Sequence, residues 1–226
     1  MKPRPYTYLG LAYARDGRLD EAAGYFSKAA SLGSDTVETS CNKGVLFMKM
    51  KQFNRSITEF DNCLKQDPNS FDGYLGLADA LIESGQAPRA LQGLLAAAEH
   101  PAFQSSDKQA QILFKLGSLY ANNGRLDKAE SYLTQANKLD PENPYVINAL
   151  GNVYLMNGWL REAANQYVRA VELKPDEPEP IYNAAIAFER LDRPDKAAEY
   201  YKKFIALNPE GYDDAMARAN ARTKGR

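Results

Sequence analysis

The residue types that perform chemistry are few in this chain and poorly placed for it. There is one histidine, His100, set beside Pro101 where a helical pattern ends. A lone imidazole needs a nucleophile, a carboxylate or further metal ligands around it, and none falls at a usable spacing. The two cysteines, Cys41 and Cys63, have no close pairing in sequence, which suits neither a zinc knuckle nor a disulfide framework. They read as reduced, structural thiols. Asp176, Glu177 and Glu179 gather around Pro178, but neighbouring acids on a loop repel and hydrate, so a solvated loop is expected rather than a metal site. Neither G-x-G-x-x-G nor G-x-x-x-x-G-K-[ST] occurs. Catalysis and cofactors are therefore not expected, and binding is left as the chemistry to seek.

Composition sets the frame for the elements that would position a binding site. The 226 residues are 44% hydrophobic and 25% charged, which excludes disorder by composition. A formal net charge of −1 gives no global field that would attract nucleic acid or an anionic membrane. No apolar run approaches the roughly 20 residues of a membrane-spanning helix, so direct membrane insertion is not expected. Residues 1–9, MKPRPYTYL, hold two prolines and no apolar stretch of signal-peptide length. A cytoplasmic location is favoured, although a mature exported form whose leader had been removed would read the same.

Periodicity organises the chain. Pro141, Pro175 and Pro209 are spaced 34 residues apart, and Pro68 precedes Pro141 by two such periods plus five residues. Each proline follows a helical pattern that it ends. Repeats set at this period span 3–36, 37–70, 71–104, 110–143, 144–177 and 178–211, with residues 105–109 extra. The eighth position then holds Gly10, Gly44, Ala78, Gly117, Gly151 and Ala185. The twentieth holds Ala22, Ser56, Ala90, Ala129, Ala163 and Ala197; the twenty-seventh holds Ala29, Cys63, Ala97, Ala136, Ala170 and Phe204. Only Phe204 among them is large. The eleventh and twenty-fourth positions are large throughout, from Tyr13 and Phe26 to Phe188 and Tyr201. Small residues let two helices approach to about 8–10 Å and large ones fill the space alongside. Gly17, Gly85, Gly124 and Gly158 stop the first helix of a pair at the fifteenth position. Asp20, Asp127 and Asp195 read as N-caps of the second, Asp127 with Glu130 at capping-box spacing, while Pro88 and Pro194 suit a first turn.

This pattern resembles the tetratricopeptide-repeat family over about residues 3–211. The resemblance implies an all-α, right-handed solenoid of six helix-turn-helix repeats forming a single domain over residues 1–226. Local departures are Ser34 in place of the first proline, the early His100-Pro101, and Lys43 where leucine is usual. It also implies a concave groove, lined by the first helices, that accepts a partner peptide or helix. Carried over residue by residue, the groove positions include Asn42 in repeat 2 and Phe114, Lys115 and Asn122 in repeat 4. Repeat 5 contributes Tyr145, Asn148, Asn152 and Met156; repeat 6 contributes Glu179, Tyr182, Asn183 and Arg190. Asparagine both donates and accepts, so it can hold a peptide backbone of any sequence. Asn148 and Asn152 are one helical turn apart and face the same way. One subclass of the family clamps the C-terminal carboxylate of chaperones, but Asn148 stands where that clamp needs lysine. Without basic groups a carboxylate's desolvation is not offset.

Beyond the repeats, residues 101–109 form the one long irregular join, in which Ser106 with Gln109 could cap the next helix. A last helix over 212–224 keeps Ala215 and Ala219 inward and sets Arg218 and Arg222 where core residues would be, as a solvated end-cap requires. The first helix carries Tyr6, Tyr8, Leu9, Leu11 and Tyr13, with no repeat before it. An upstream segment or self-association would cover that flank. The expected function is a scaffold or adaptor binding a protein or peptide ligand. The alternatives are a homo-oligomeric scaffold assembling through its ends, or the regulatory repeat region of a larger enzyme. Nucleic acid is not expected as a partner, because the groove lacks a basic stripe.

Overall fold

The alternation of small and large side chains at helical spacing produces paired helices throughout the computed structural model, which describes residues 4–33 and 36–223. The first residue of repeat 1, Ser34 and the last residue of the expected capping helix lie outside them. The chain divides into two compact units, Met1–Lys108 and Gln109–Arg226.

In the first unit, α1 (Arg4–Arg15) pairs with α2 (Leu19–Ser31), α3 (Val37–Lys49) with α4 (Phe53–Gln66), and α5 (Phe71–Glu83) with α6 (Ala87–Glu99). A 3₁₀ turn follows at Pro101–Phe103. The second unit holds α7 (Ser106–Asn122), in which the boundary falls, then α8 (Leu126–Leu139), α9 (Pro144–Met156), α10 (Leu160–Leu173), α11 (Pro178–Arg190), α12 (Pro194–Leu207) and α13 (Asp213–Thr223). No strand occurs among the described residues. The fold is an all-α solenoid of tetratricopeptide type.

Close approach explains the glycines of the eighth position. A Cβ built on Gly44 would lie 2.8 Å from the Phe60 ring, one on Gly117 2.5 Å from Leu133, and one on Gly151 2.6 Å from the Tyr167 ring. Each glycine thus receives the large twenty-fourth-position residue of its own hairpin. Ala22, Ala90, Ala129, Ala163 and Phe204 are fully buried.

One turn geometry recurs. Gly17, Gly85, Gly124 and Gly158 adopt positive φ between 70° and 79°, and Lys51 and Asp192 take the same left-handed conformation with φ of 56° and 54°. In every repeat the next amide donates five residues back, as from Arg18 to the Tyr13 carbonyl (2.9 Å) and from Trp159 to the Tyr154 carbonyl (2.8 Å). This is the bond that closes a Schellman turn. The turn enters the second helix so soon that the N-cap positions fall on Arg18, Arg125 and Arg193, which make no side-chain cap bond. Asp20, Asp127 and Asp195 are therefore second helical residues, not caps, and Asp127 with Glu130 forms no capping box. Their charge favours the helix start through the dipole. Side-chain caps occur instead on first helices, from Thr36, Ser70 and Asn143.

Two further expectations are corrected. Cys41 and Cys63 are joined as a disulfide, with Cα atoms 5.3 Å apart, rather than free thiols. The antiparallel hairpin brings the fifth position of the repeat, on α3, opposite the twenty-seventh, on α4, a proximity invisible in the linear spacing. The Ser70 hydroxyl lies 3.6 Å from the Cys41 sulfur and 3.4 Å from that of Cys63. The long irregular join is mostly regular: the 3₁₀ turn and the early start of α7 leave only Gln104 and Ser105 between them, and the extra residues lengthen α7 to 17 residues. Lys43, the departure from leucine, is accommodated by an ion pair of 2.7 Å with Glu59 on α4. His100 has a structural place, stacking on the buried Phe103 at 4.5 Å and accepting the Ala102 amide through Nδ1.

Candidate functional site

Helices α9 and α11 bring three asparagines of the second unit together. One turn of α9 separates Asn148 from Asn152, and α11 places Asn183 beside both. The Asn183 Nδ2 donates to Asn152 Oδ1 at 3.1 Å and to Asn148 Oδ1 at 3.5 Å. Glu179, one turn earlier on α11, accepts at Oε1 from Asn148 Nδ2 (3.0 Å) and Asn152 Nδ2 (3.4 Å). The hydroxyl of Tyr167, a fully buried residue of α10, donates to Asn152 Oδ1 at 2.8 Å. Burial pushes that hydroxyl's pKa well up, so it stays a donor.

These bonds use part of the amides' capacity and orient the rest. A primary amide offers two donors and an acceptor with two lone pairs. Asn148 and Asn152 each retain one N–H, Asn183 retains its carbonyl, and Glu179 retains Oε2. Asn148 is only 8% exposed, so its amide contributes mainly by holding its neighbours.

An apolar depression of about 310 Å³ opens next to this network. Leu133 of α8, Ala149, Leu155 and Met156 line it, with Ser118 and Asn122 of α7 and Asn152 as its polar rim. Met156 is 57% exposed at its mouth.

The remaining groove candidates separate by packing. Tyr145 is half exposed; its hydroxyl meets Lys174 Nζ at 2.5 Å, and Lys174 also pairs with Glu177 at 2.6 Å. Those bonds, Glu177 first and then Tyr145, raise the pKa of the lysine. Tyr182 is half-buried against Tyr201 and Phe204 at centroid distances of 6.0 and 5.0 Å, so it belongs largely to the core. Phe114 likewise packs on Leu113, Ala136 and Val146. Lys115 is half-buried on α7, and Arg190 is exposed at the end of α11. Asn42 belongs to the other unit, half-buried on α3.

The end of α11 is occupied from within the chain. Glu189 accepts from the Tyr201 hydroxyl at 2.6 Å and pairs with Arg222 at 2.7 Å and Arg218 at 3.6 Å. The two arginines of α13 therefore reach back to the stack, while Ala219 and Phe204 meet beneath them. Sequence reading missed Glu179 as the hub of the amides and Tyr167 as their anchor. The spacing of Glu179 four residues before Asn183 was the available signal.

Comparison with known proteins adds the family. Tetratricopeptide-repeat profiles match residues 6–35 and 148–212, residues 47–112, and residues 110–143. No curated protein matches. Among solved structures, the chain is similar to PilF of Pseudomonas aeruginosa, with 17% identity and a TM-score of 0.76 over 96% of this chain and 97% of that one. It is similar to PilW, described as a type IV pilus biogenesis factor, with 15% identity and a TM-score of 0.82 over 96% and 98%. It is also similar to YrrB, described as having an unusual peptide-binding site, with 20% identity and a TM-score of 0.57 over 85% and 97%. At these identities the likeness is one of fold. With the profiles falling on both units and the hairpins built as described, the chain belongs to the tetratricopeptide-repeat family.

Proposed function

We propose that this protein is a non-catalytic interaction scaffold that binds an extended segment of a partner protein on α7, α9 and α11. The observation that carries this reading is the amide network of Asn148, Asn152 and Asn183 beside an apolar depression. The free N–H groups and carbonyl suit a peptide backbone, and the depression suits one apolar side chain. Because the amides are already oriented by Glu179 and Tyr167, little conformational entropy is lost when a guest arrives. YrrB, of the same fold, is described as binding a peptide.

The test is a triple substitution, Asn148→Ala, Asn152→Ala and Asn183→Ala, assayed against partners recovered by affinity capture and mass spectrometry. Binding is expected to weaken by roughly 2 kcal/mol or more, about thirtyfold, with helicity retained. Unchanged affinity with a folded variant removes the reading.

A second reading, self-association through α1, is supported by the exposure of Tyr8 (60%) and Leu9 (40%) on that helix. Light scattering is expected to show mass rising with concentration, and Tyr8→Ser with Leu9→Ser to abolish the rise. A mass independent of concentration excludes it.

A further inference from the structure

A second cleft on the second unit lies away from the amide network and shares no residue with it. Its volume is about 610 Å³. One wall is a stripe of α10 running from Arg161 through Val168 and Arg169 to Glu172. The other is furnished by Phe188 and Leu191 near the end of α11 and by Arg193 and Lys196 at the start of α12.

The charge in this cleft departs from that of the molecule. Four cations line it against one acid, Glu172, in a chain whose formal net charge is −1. None of the four is in an ion pair among the described residues. Two are nevertheless held in place. Arg169 donates to the Pro141 carbonyl, and the Lys196 ammonium lies 5.1 Å from the centre of the Phe188 ring. Cations of one sign that outnumber the single acid beside them are complementary to an anionic ligand and speed its encounter.

The floor decides which anion. Phe188 and Ala164 are nearly buried and Val168 and Leu191 half-buried, so the space between the cations is apolar. The cations are spread along the cleft rather than converging on one point, unlike a pocket for a single phosphate. The α10 stripe from Arg161 to Arg169 covers about 12 Å at the rise of a helix. That length suits a short polypeptide segment.

We propose that this cleft is a second docking site, for an acidic amphipathic peptide segment of a partner protein, with carboxylates at its rims and apolar side chains on Phe188 and Leu191. The site makes the protein a two-sided adaptor, able to hold one partner at the amides and another at the cations.

The test is selection from a displayed library of random peptides, performed in parallel on the wild type and on an Arg161→Glu, Arg193→Glu variant. Both arginines are exposed, and Arg161→Gln with Arg193→Gln provides a milder companion whose fold is checked by circular dichroism. Peptides enriched on the wild type are expected to combine Asp or Glu with Leu or Phe. Their affinity, measured by fluorescence anisotropy, is expected to fall about tenfold or more with the charge-reversed variant, by less with the glutamine variant, and with added salt. The triple asparagine variant is expected to bind them as the wild type does, which keeps this site separate from the amide groove. Enrichment of basic or uncharged peptides, or equal binding by the charge-reversed variant, overturns the proposal. So does displacement of the peptides by inorganic phosphate, or comparable binding to phosphatidylserine vesicles, which would assign the cleft to a small anion or a lipid surface.

Discussion

Gly151 and Tyr167 constrain each other, and the amide site depends on both. The glycine leaves room for the ring, and the ring's hydroxyl is directed at Asn152. Replacing Gly151 with leucine forces a side chain where a Cβ alone would already sit 2.6 Å from the ring. Tyr167 is fully buried and has nowhere to retreat. Gly151→Leu is expected to cost about 3 kcal/mol in denaturant unfolding, at the upper end for overpacking, and to weaken partner binding by displacing Asn152. At this scale the sequence was legible in part. Two asparagines four residues apart on a helix must face the same way, so their grouping could be read directly. The withdrawal of Tyr182 and Phe114 into the core could not, because groove and core positions of one helix differ by a rotation that only the neighbouring hairpin settles.

Elements here are defined by their turns as much as by their helices. The left-handed residue that ends each first helix is glycine in four hairpins and Lys51 or Asp192 in the other two. A side chain in that conformation costs roughly 1 kcal/mol relative to glycine. Lys51→Gly is therefore expected to raise stability by about 0.5–1 kcal/mol, less what glycine adds to unfolded-chain entropy, seen as a higher midpoint in denaturant melts. A fall instead would mean that the lysine's own contacts outweigh its backbone strain. The four glycines marked the turns in the sequence; the other two turns were invisible because hairpin closure, not local preference, imposes their geometry. The same closure misled the reading of caps. Asp20, Asp127 and Asp195 are residues that favour caps, but the turn consumes the preceding positions and leaves each of them one residue inside its helix.

For the whole molecule, the repeat pattern was the most legible feature, because small and large residues at fixed positions record hairpin packing directly. What spacing cannot record is which distant positions meet across a hairpin, and the Cys41–Cys63 bond is the case in point. It closes a loop with a sequence separation of 22, for which loop-closure entropy gives a stabilisation of about 3 kcal/mol. Thermal melts in the presence of a thiol reductant are expected to show the loss in the transition of the first unit and leave that of the second unchanged. Identical melts with and without reductant would show that the bond does not hold in solution. An oxidising compartment sustains such a bond.

The repeated turn bond has a practical consequence. Each hairpin shields one backbone amide, at residues 18, 52, 86, 125, 159 and 193, behind a carbonyl five residues earlier. Placed at the same joint of every rung, these six protons act as graduations along the chain. Their rates of deuterium uptake would show which rung loosens first, and which ones tighten when a guest settles.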